Sequence, residues 1–121
     1  MDWKIEVIIV PVSDIDRAKD FYAEKLGFNV DVDHRDGDFR IVQLTPPGSA
    51  CSIAIGTGLT DLPPGSAQVQ LVVSDVETAR AELHSRGVDV SEVQTFDWGS
   101  FVFFADPDGN RWAVQQLPPR D

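Results

Sequence analysis

The stretch Val12-Ser13-Asp14-Ile15-Asp16-Arg17-Ala18-Lys19 returns sixty-one positions later as Val73-Ser74-Asp75-Val76-Glu77-Thr78-Ala79-Arg80. Four of the eight paired positions are identical, and three exchange like for like: Ile/Val, Asp/Glu and Lys/Arg. Each copy follows a run of β-branched residues, 5–10 and 69–73, and opens a helix-period segment that stops at a glycine, Gly27 and Gly87. Self-similarity at a fixed spacing marks a repeated supersecondary unit. The chain therefore reads as two copies of one strand–helix–strands module.

Working outward from the first copy, residues 3–12 read as a strand, with Ile5, Val7 and Ile9 on one face and Glu6, Ile8 and Val10 on the other. Apolar residues on both faces predict a strand covered on both sides, ended by Pro11, which has no N–H to donate. Ser13 or Asp14 caps a helix whose Ile15, Ala18, Phe21, Tyr22 and Leu26 form one apolar stripe. Gly27 supplies its left-handed end. Residues 28–34 alternate, with Phe28, Val30 and Val32 opposite Asn29, Asp31 and Asp33, and the latter two with His34 read as a solvated patch. A hairpin turn at Asp36-Gly37 leads to strands 39–44 and 51–56.

Residues 57–66, with Gly58, Pro63, Pro64 and Gly65, form a linker. The pattern then restarts: strand 67–73, helix 75–86 with Val76, Ala79 and Leu83 inward, and strand 88–94. A turn at Trp98-Gly99 precedes strand 101–105, and the Asp106-Pro107-Asp108-Gly109-Asn110 turn precedes strand 111–117. The fold class expected is α+β, a single domain of two βαβββ modules (1–56 and 67–121) that form a curved, cup-like mixed sheet with the helices outside.

A chain of 121 residues is long enough to bury a core. A net charge of −10 argues against nucleic acid as a partner, keeps the protein soluble and draws cationic small molecules. The lone Cys51 excludes an internal disulfide and fits a reducing compartment. No apolar run approaches the ~20 residues of a membrane span, and the first residues do not read as a signal peptide, so a cytoplasmic location is expected.

The repeat, the Asp14-Ile15-Asp16-Arg17-Ala18-Lys19-Asp20-Phe21-Tyr22 run leading to Leu26-Gly27-Phe28, and the 106–110 turn before a final strand together give a family resemblance. The chain resembles the vicinal oxygen chelate superfamily, which includes glyoxalase I, bleomycin resistance proteins, fosfomycin resistance proteins and extradiol dioxygenases. The resemblance implies two modules around a cup, commonly completed by dimerisation, with metal ligands on the first and last strands of each module. Those positions fall here on Val7, Ala54, Gln68 and Ala113. Three offer no donor and one amide is not a site, so no catalytic metal and no cofactor are expected.

Strand alternation places Phe39, Ile41, Gln43, Ser52, Ala54, Gln68, Gln70, Phe101, Phe103, Arg111, Ala113 and Gln115 on the face of those vacated positions. Ile53, Ile55, Val69, Leu71, Val73, Trp112 and Val114 fall under the helices. The cup is thus apolar and aromatic, with a few amides, as small-molecule pockets are. Unpaired buried amides cost about 1–3 kcal/mol each, so several glutamines on one inner face point to a ligand. The candidate ligand-binding residues are Phe39, Gln43, Ser52, Gln68, Gln70, Trp98, Phe103, Arg111 and Gln115, and no catalytic residue is assigned. Trp98 enters as an exposed turn aromatic, whereas Tyr22 and Cys51 read as structural.

The function expected is metal-independent binding and sequestration of an antibiotic or other natural product, cationic or aromatic, by a homodimer of the bleomycin-resistance type. Two rivals are a metal-free isomerase, lyase or hydrolase of the same fold, using Glu6, Asp31 or Asp33 as base, and a dimeric interaction module whose cup is filled.

Overall fold

The computed structural model describes residues 1–119. In chain order the elements are β1 (Val7–Ile9), α1 (Ile15–Asp20), β2 (Asn29–Asp36), β3 (Phe39–Thr45), β4 (Ser52–Gly56), β5 (Gln68–Val72), α2 (Val76–Ser85), β6 (Gln94–Phe96), β7 (Gly99–Ala105) and β8 (Arg111–Gln116). The strands form two four-stranded mixed sheets, ordered β1-β4-β3-β2 and β5-β8-β7-β6. In each sheet the module's first strand runs parallel to its last, and the remaining pairs are antiparallel. The repeat in the sequence is thus a repeat of topology, in an α+β fold of two open, curved sheets.

Both helices start on the repeated aspartate. Asp14 accepts from Arg17 N and Asp75 from Thr78 N, each at 3.1 Å, satisfying one first-turn N–H that has no partner within the helix. Ser13, the other candidate cap, instead bonds Asp108 through its hydroxyl and its N–H. Beyond α1 the chain widens into a π-type turn at Phe21–Lys25, where Leu26 N reaches Phe21 O at 3.1 Å. The wider turn buries the consecutive side chains of Phe21 and Tyr22 together. Gly27 then takes the expected left-handed conformation, φ +73°.

One hydrophobic core draws on both modules. Val10, Tyr22, Val42, Leu44, Ile55, Val76, Val102, Trp112 and Val114 are all buried in it. Trp112 is the hub, with ring centroids 5.5 Å from Tyr22, 5.8 Å from Phe28 and 6.1 Å from Phe104. Aromatic pairs at such separations add about 0.5–1.5 kcal/mol each beyond the area they bury. The α1–β2 segment of the first module therefore packs onto the second sheet.

Several expectations are corrected. The first strand spans only Val7–Ile9, because its partner β4 begins at Ser52 and the ladder can start no earlier. It is also exposed on both faces: it is the edge of its sheet, and Val7, Ile8 and Ile9 are 38%, 39% and 41% exposed among the described residues. Strict alternation in β2 fails at a bulge between Val30 and Val32, which turns Asp33 to the face of Val42, beneath α1. Asp33 stays exposed, as expected, and there pairs with Lys19 and Arg40. Residues 88–93 form no strand. Ser91 instead uses its own N–H on Phe103 O and its Oγ to accept from Phe103 N, and regular pairing begins only at Gln94.

Candidate functional site

The concave face of the second sheet is set by register. Gln68 stands opposite Arg111, and Arg111 opposite Ala105. In the next row Gln70, Ala113 and Phe103 stand together, and in the third Val72, Gln115, Phe101 and Gln94. Above the first two rows lies a cleft of about 680 Å³ whose lining includes Gln68, Gln70, Phe103, Ala105, Arg111 and Ala113. The two alanines form its floor, and Phe103 forms a wall.

Three more aromatic rings continue from that wall. Phe103 lies parallel to Phe101 at 5.9 Å, Phe101 meets Phe96 edge-on at 6.0 Å, and Phe96 lies parallel to Trp98 at 5.0 Å. Phe101 is buried, whereas Phe96, Phe103 and Trp98 are 42%, 38% and 61% exposed. The Trp98 indole rests on one ring and presents broad apolar surface to solvent, an arrangement suited to stacking a flat ligand.

The glutamines divide into two kinds. Gln70 Nε2 donates to Gln115 Oε1 at 2.7 Å, and Gln115 Nε2 donates to the Trp98 carbonyl at 2.8 Å. This amide chain braces the hairpin that carries Trp98. The side chain of Gln68 makes no such bond among the described residues.

Phe39, Gln43 and Ser52 occupy the corresponding face of the first sheet, where Gln43 stands opposite Ala54 and Val32. None of them lines the cleft. Around Ser52 is a polar cluster. Asn29 Nδ2 donates to Asp31 Oδ1 at 2.7 Å, the Thr45 hydroxyl donates to Asp31 Oδ2, and Thr45 Oγ1 stands 2.6 Å from Ser52 Oγ. Because Thr45 spends its proton on Asp31, Ser52 donates to Thr45.

The groups with displaced pKa values lie elsewhere. Hydrogen bonds from Arg40 and then Lys19 hold the Asp33 carboxyl well below the usual carboxylate range, and the bond from Arg40 also lowers Asp16. Those bonds raise the Arg40 guanidinium in turn. The network pins α1 to the first sheet. Burial, then the bond to Asp106, pushes the Tyr22 phenol far above its ordinary value. The 106–110 turn is a junction between modules: buried Asn110 donates to Pro11 O at 2.8 Å and accepts from Ala67 N at 2.9 Å.

For a metal, the family positions give Val7, Ala54 and Ala113 without a donor atom and Gln68 with one amide oxygen. This set does not fit a divalent ion. Among the described residues no three His, Cys, Asp or Glu side chains are grouped to hold one.

Two residues of this face were missed in the sequence. Phe96 falls between the expected strand 88–94 and the turn at Trp98-Gly99, and pairing across the hairpin puts it on the face of Gln94 and Phe101. Thr45 continues the Phe39, Ile41, Gln43 alternation by one step, beyond the expected strand end at 44.

The same architecture occurs in solved structures. TnmS3, an antibiotic binding protein from Streptomyces sp. CB03234, superposes with a TM-score of 0.88 at 35% identity, over 97% of this chain and 98% of its own. A glyoxalase/bleomycin resistance protein from Streptomyces sp. CB03234 gives 0.82 at 36% identity, over 93% and 100%. The uncharacterized protein YetH of Bacillus subtilis (strain 168) is 28% identical, over 93% of this chain and 98% of its own. The family model of the Glyoxalase/Bleomycin resistance protein/Dioxygenase superfamily matches residues 4–114, and the chain belongs to that superfamily.

Proposed function

We propose that this protein binds a flat, aromatic natural product of antibiotic type and holds it unchanged, without a metal or cofactor, conferring resistance by sequestration in the cytoplasm. The observation that carries this reading is the run of rings from Phe103 to Trp98 beside a cleft of about 680 Å³. Pockets of roughly 300–1,000 Å³ are the usual size for small-molecule sites. The likeness to TnmS3, which is described as an antibiotic binding protein, supports it.

In this reading Gln68, Phe103 and Arg111 touch the ligand, Trp98 stacks on it, and Gln70 and Gln115 hold Trp98 in place. The protein works as a homodimer, which gives the apolar edge of β1 a cover: Trp3, Ile5, Val7, Ile8 and Ile9 are all exposed in the single chain. Phe39, Gln43 and Ser52 then complete a partner's cup. A stable dimer of this kind buries at least ~1,000 Å².

The test is to titrate aromatic natural products against tryptophan fluorescence and recover each bound compound for mass analysis and chiral chromatography. Quenching with unchanged recovery is the expected result. An altered compound, isomers included, makes the protein an enzyme. Light scattering reads the dimer separately, and a monomer at working concentration removes that part of the proposal.

A further inference from the structure

The cleft has a chemical polarity opposite to that of the chain. The protein carries twenty Asp and Glu against ten Lys and Arg, yet the lining of this cleft contains no acid, and its one ionisable side chain is Arg111. The acids nearest in sequence are occupied elsewhere. Asp106 is engaged by Tyr22 and Asn110, and Asp108 by Ser13. Among the described residues the Arg111 guanidinium has no carboxylate partner. Gln68, opposite it in the ladder, likewise keeps a free amide. Ala105 and Ala113 beside them leave open space above the pair.

We infer that Gln68 and Arg111 together read an anionic oxygen on the ligand, a carboxylate or a phenolate at one end of the flat ring system. The inference rests on the small-molecule reading above and fixes the charge of what is bound. A guanidinium has five donors and no acceptor, in a planar fork that matches a carboxylate. The Gln68 amide can turn its NH₂ to the same group. Charge-assisted bonds of this kind are roughly twice as strong as neutral ones. The overall negative charge does not overrule them, because surface charges beyond the Debye length of about 8 Å are screened at physiological salt. The cationic ligand that the chain's net charge suggests would place like charge against Arg111.

The test uses three probes on one ring system: pyrene-1-carboxylate, uncharged 1-pyrenemethanol and cationic 1-pyrenemethylammonium. Each is titrated into the full chain at low and high salt. The wild-type protein is expected to bind the carboxylate about tenfold more tightly than the ammonium, with the alcohol between them. Arg111→Gln erases that order, bringing the carboxylate's affinity down to that of the ammonium, whereas Arg111→Lys preserves the order. Gln68→Leu weakens the carboxylate more than the ammonium, narrowing the gap between them, and covers the case in which an Arg111 variant fails to fold. Equal binding of all three probes, or a preference for the ammonium, overturns the inference while leaving small-molecule binding standing. Binding of none overturns both.

Discussion

The hydroxyl of Tyr22, just past the first helix, donates to Oδ2 of Asp106 at 2.7 Å across eighty-four positions of sequence. The Trp112 indole N–H donates to the same hydroxyl at 3.0 Å. All three groups are buried, so their polar atoms depend on one another. The phenol, pushed far above its ordinary pKa by burial and by Asp106, stays a neutral donor at every working pH. Tyr22→Phe keeps the ring and strands the indole N–H. It should cost roughly 1–3 kcal/mol, read as a lower urea midpoint with an unchanged slope.

The ion network under α1 gives stability a defined pH dependence. Asp33 is held below the usual carboxylate range, so its contribution is fully present above an unfolded pKa of about 4 and is lost as pH falls from there toward the folded value. Asp33→Asn should destabilise by roughly 1 kcal/mol between about pH 5 and 8. The gap between variant and wild type should close at lower pH. Urea unfolding at three pH values checks this, and a gap that stays constant down to the acid limit would contradict it.

Gly99 begins β7 at φ +139°, and a Cβ there would lie 2.5 Å from Gln116 O. Gly99→Ala should therefore push the hairpin off β8 and cost roughly 1–3 kcal/mol. Gln116 also caps α2, its Oε1 accepting from Val76 N at 2.9 Å. Faster amide exchange should thus appear in the Trp98 hairpin and in the first turn of α2 together.

Trp98→Ala removes the open end of the ring series. For the ligand this should cost about 0.5–1.5 kcal/mol of binding, with melting temperature near wild type, because the indole is 61% exposed. Gln115→Leu leaves that ring in place and removes its brace. Affinity should fall with a broadened Trp98 fluorescence lifetime, an effect that a residue contacting only the ligand would not produce in the free protein.

What could be read from the sequence was whatever is periodic. The Val-Ser-Asp repeat located both helices, and strand alternation put Gln68, Gln70, Phe103, Arg111 and Gln115 on one face with Ile53, Ile55, Trp112 and Val114 on the other. Features that break periodicity were not visible. One bulge reassigned Asp33, because a single extra residue moves every later side chain to the other face. The partners of polar groups were hidden for another reason: Tyr22 and Asp106, or Gln115 and the Trp98 carbonyl, meet only after the chain has closed on itself. The aromatic site was half legible, since Phe101 and Phe103 follow from alternation, whereas Phe96 depends on where the hairpin turns.

Asn110 binds Pro11, just past one module's first strand, and Ala67, just before the other's. Among the described residues no strand pairing joins the two sheets. What unites the halves is therefore side-chain chemistry and the shared core, not a continuous backbone ladder. A chain cut within residues 57–66 should accordingly yield two fragments that are each incomplete, since one would expose Trp112 and Asn110 and the other Tyr22. Mixed together, they should reassemble into the native fold by fragment complementation.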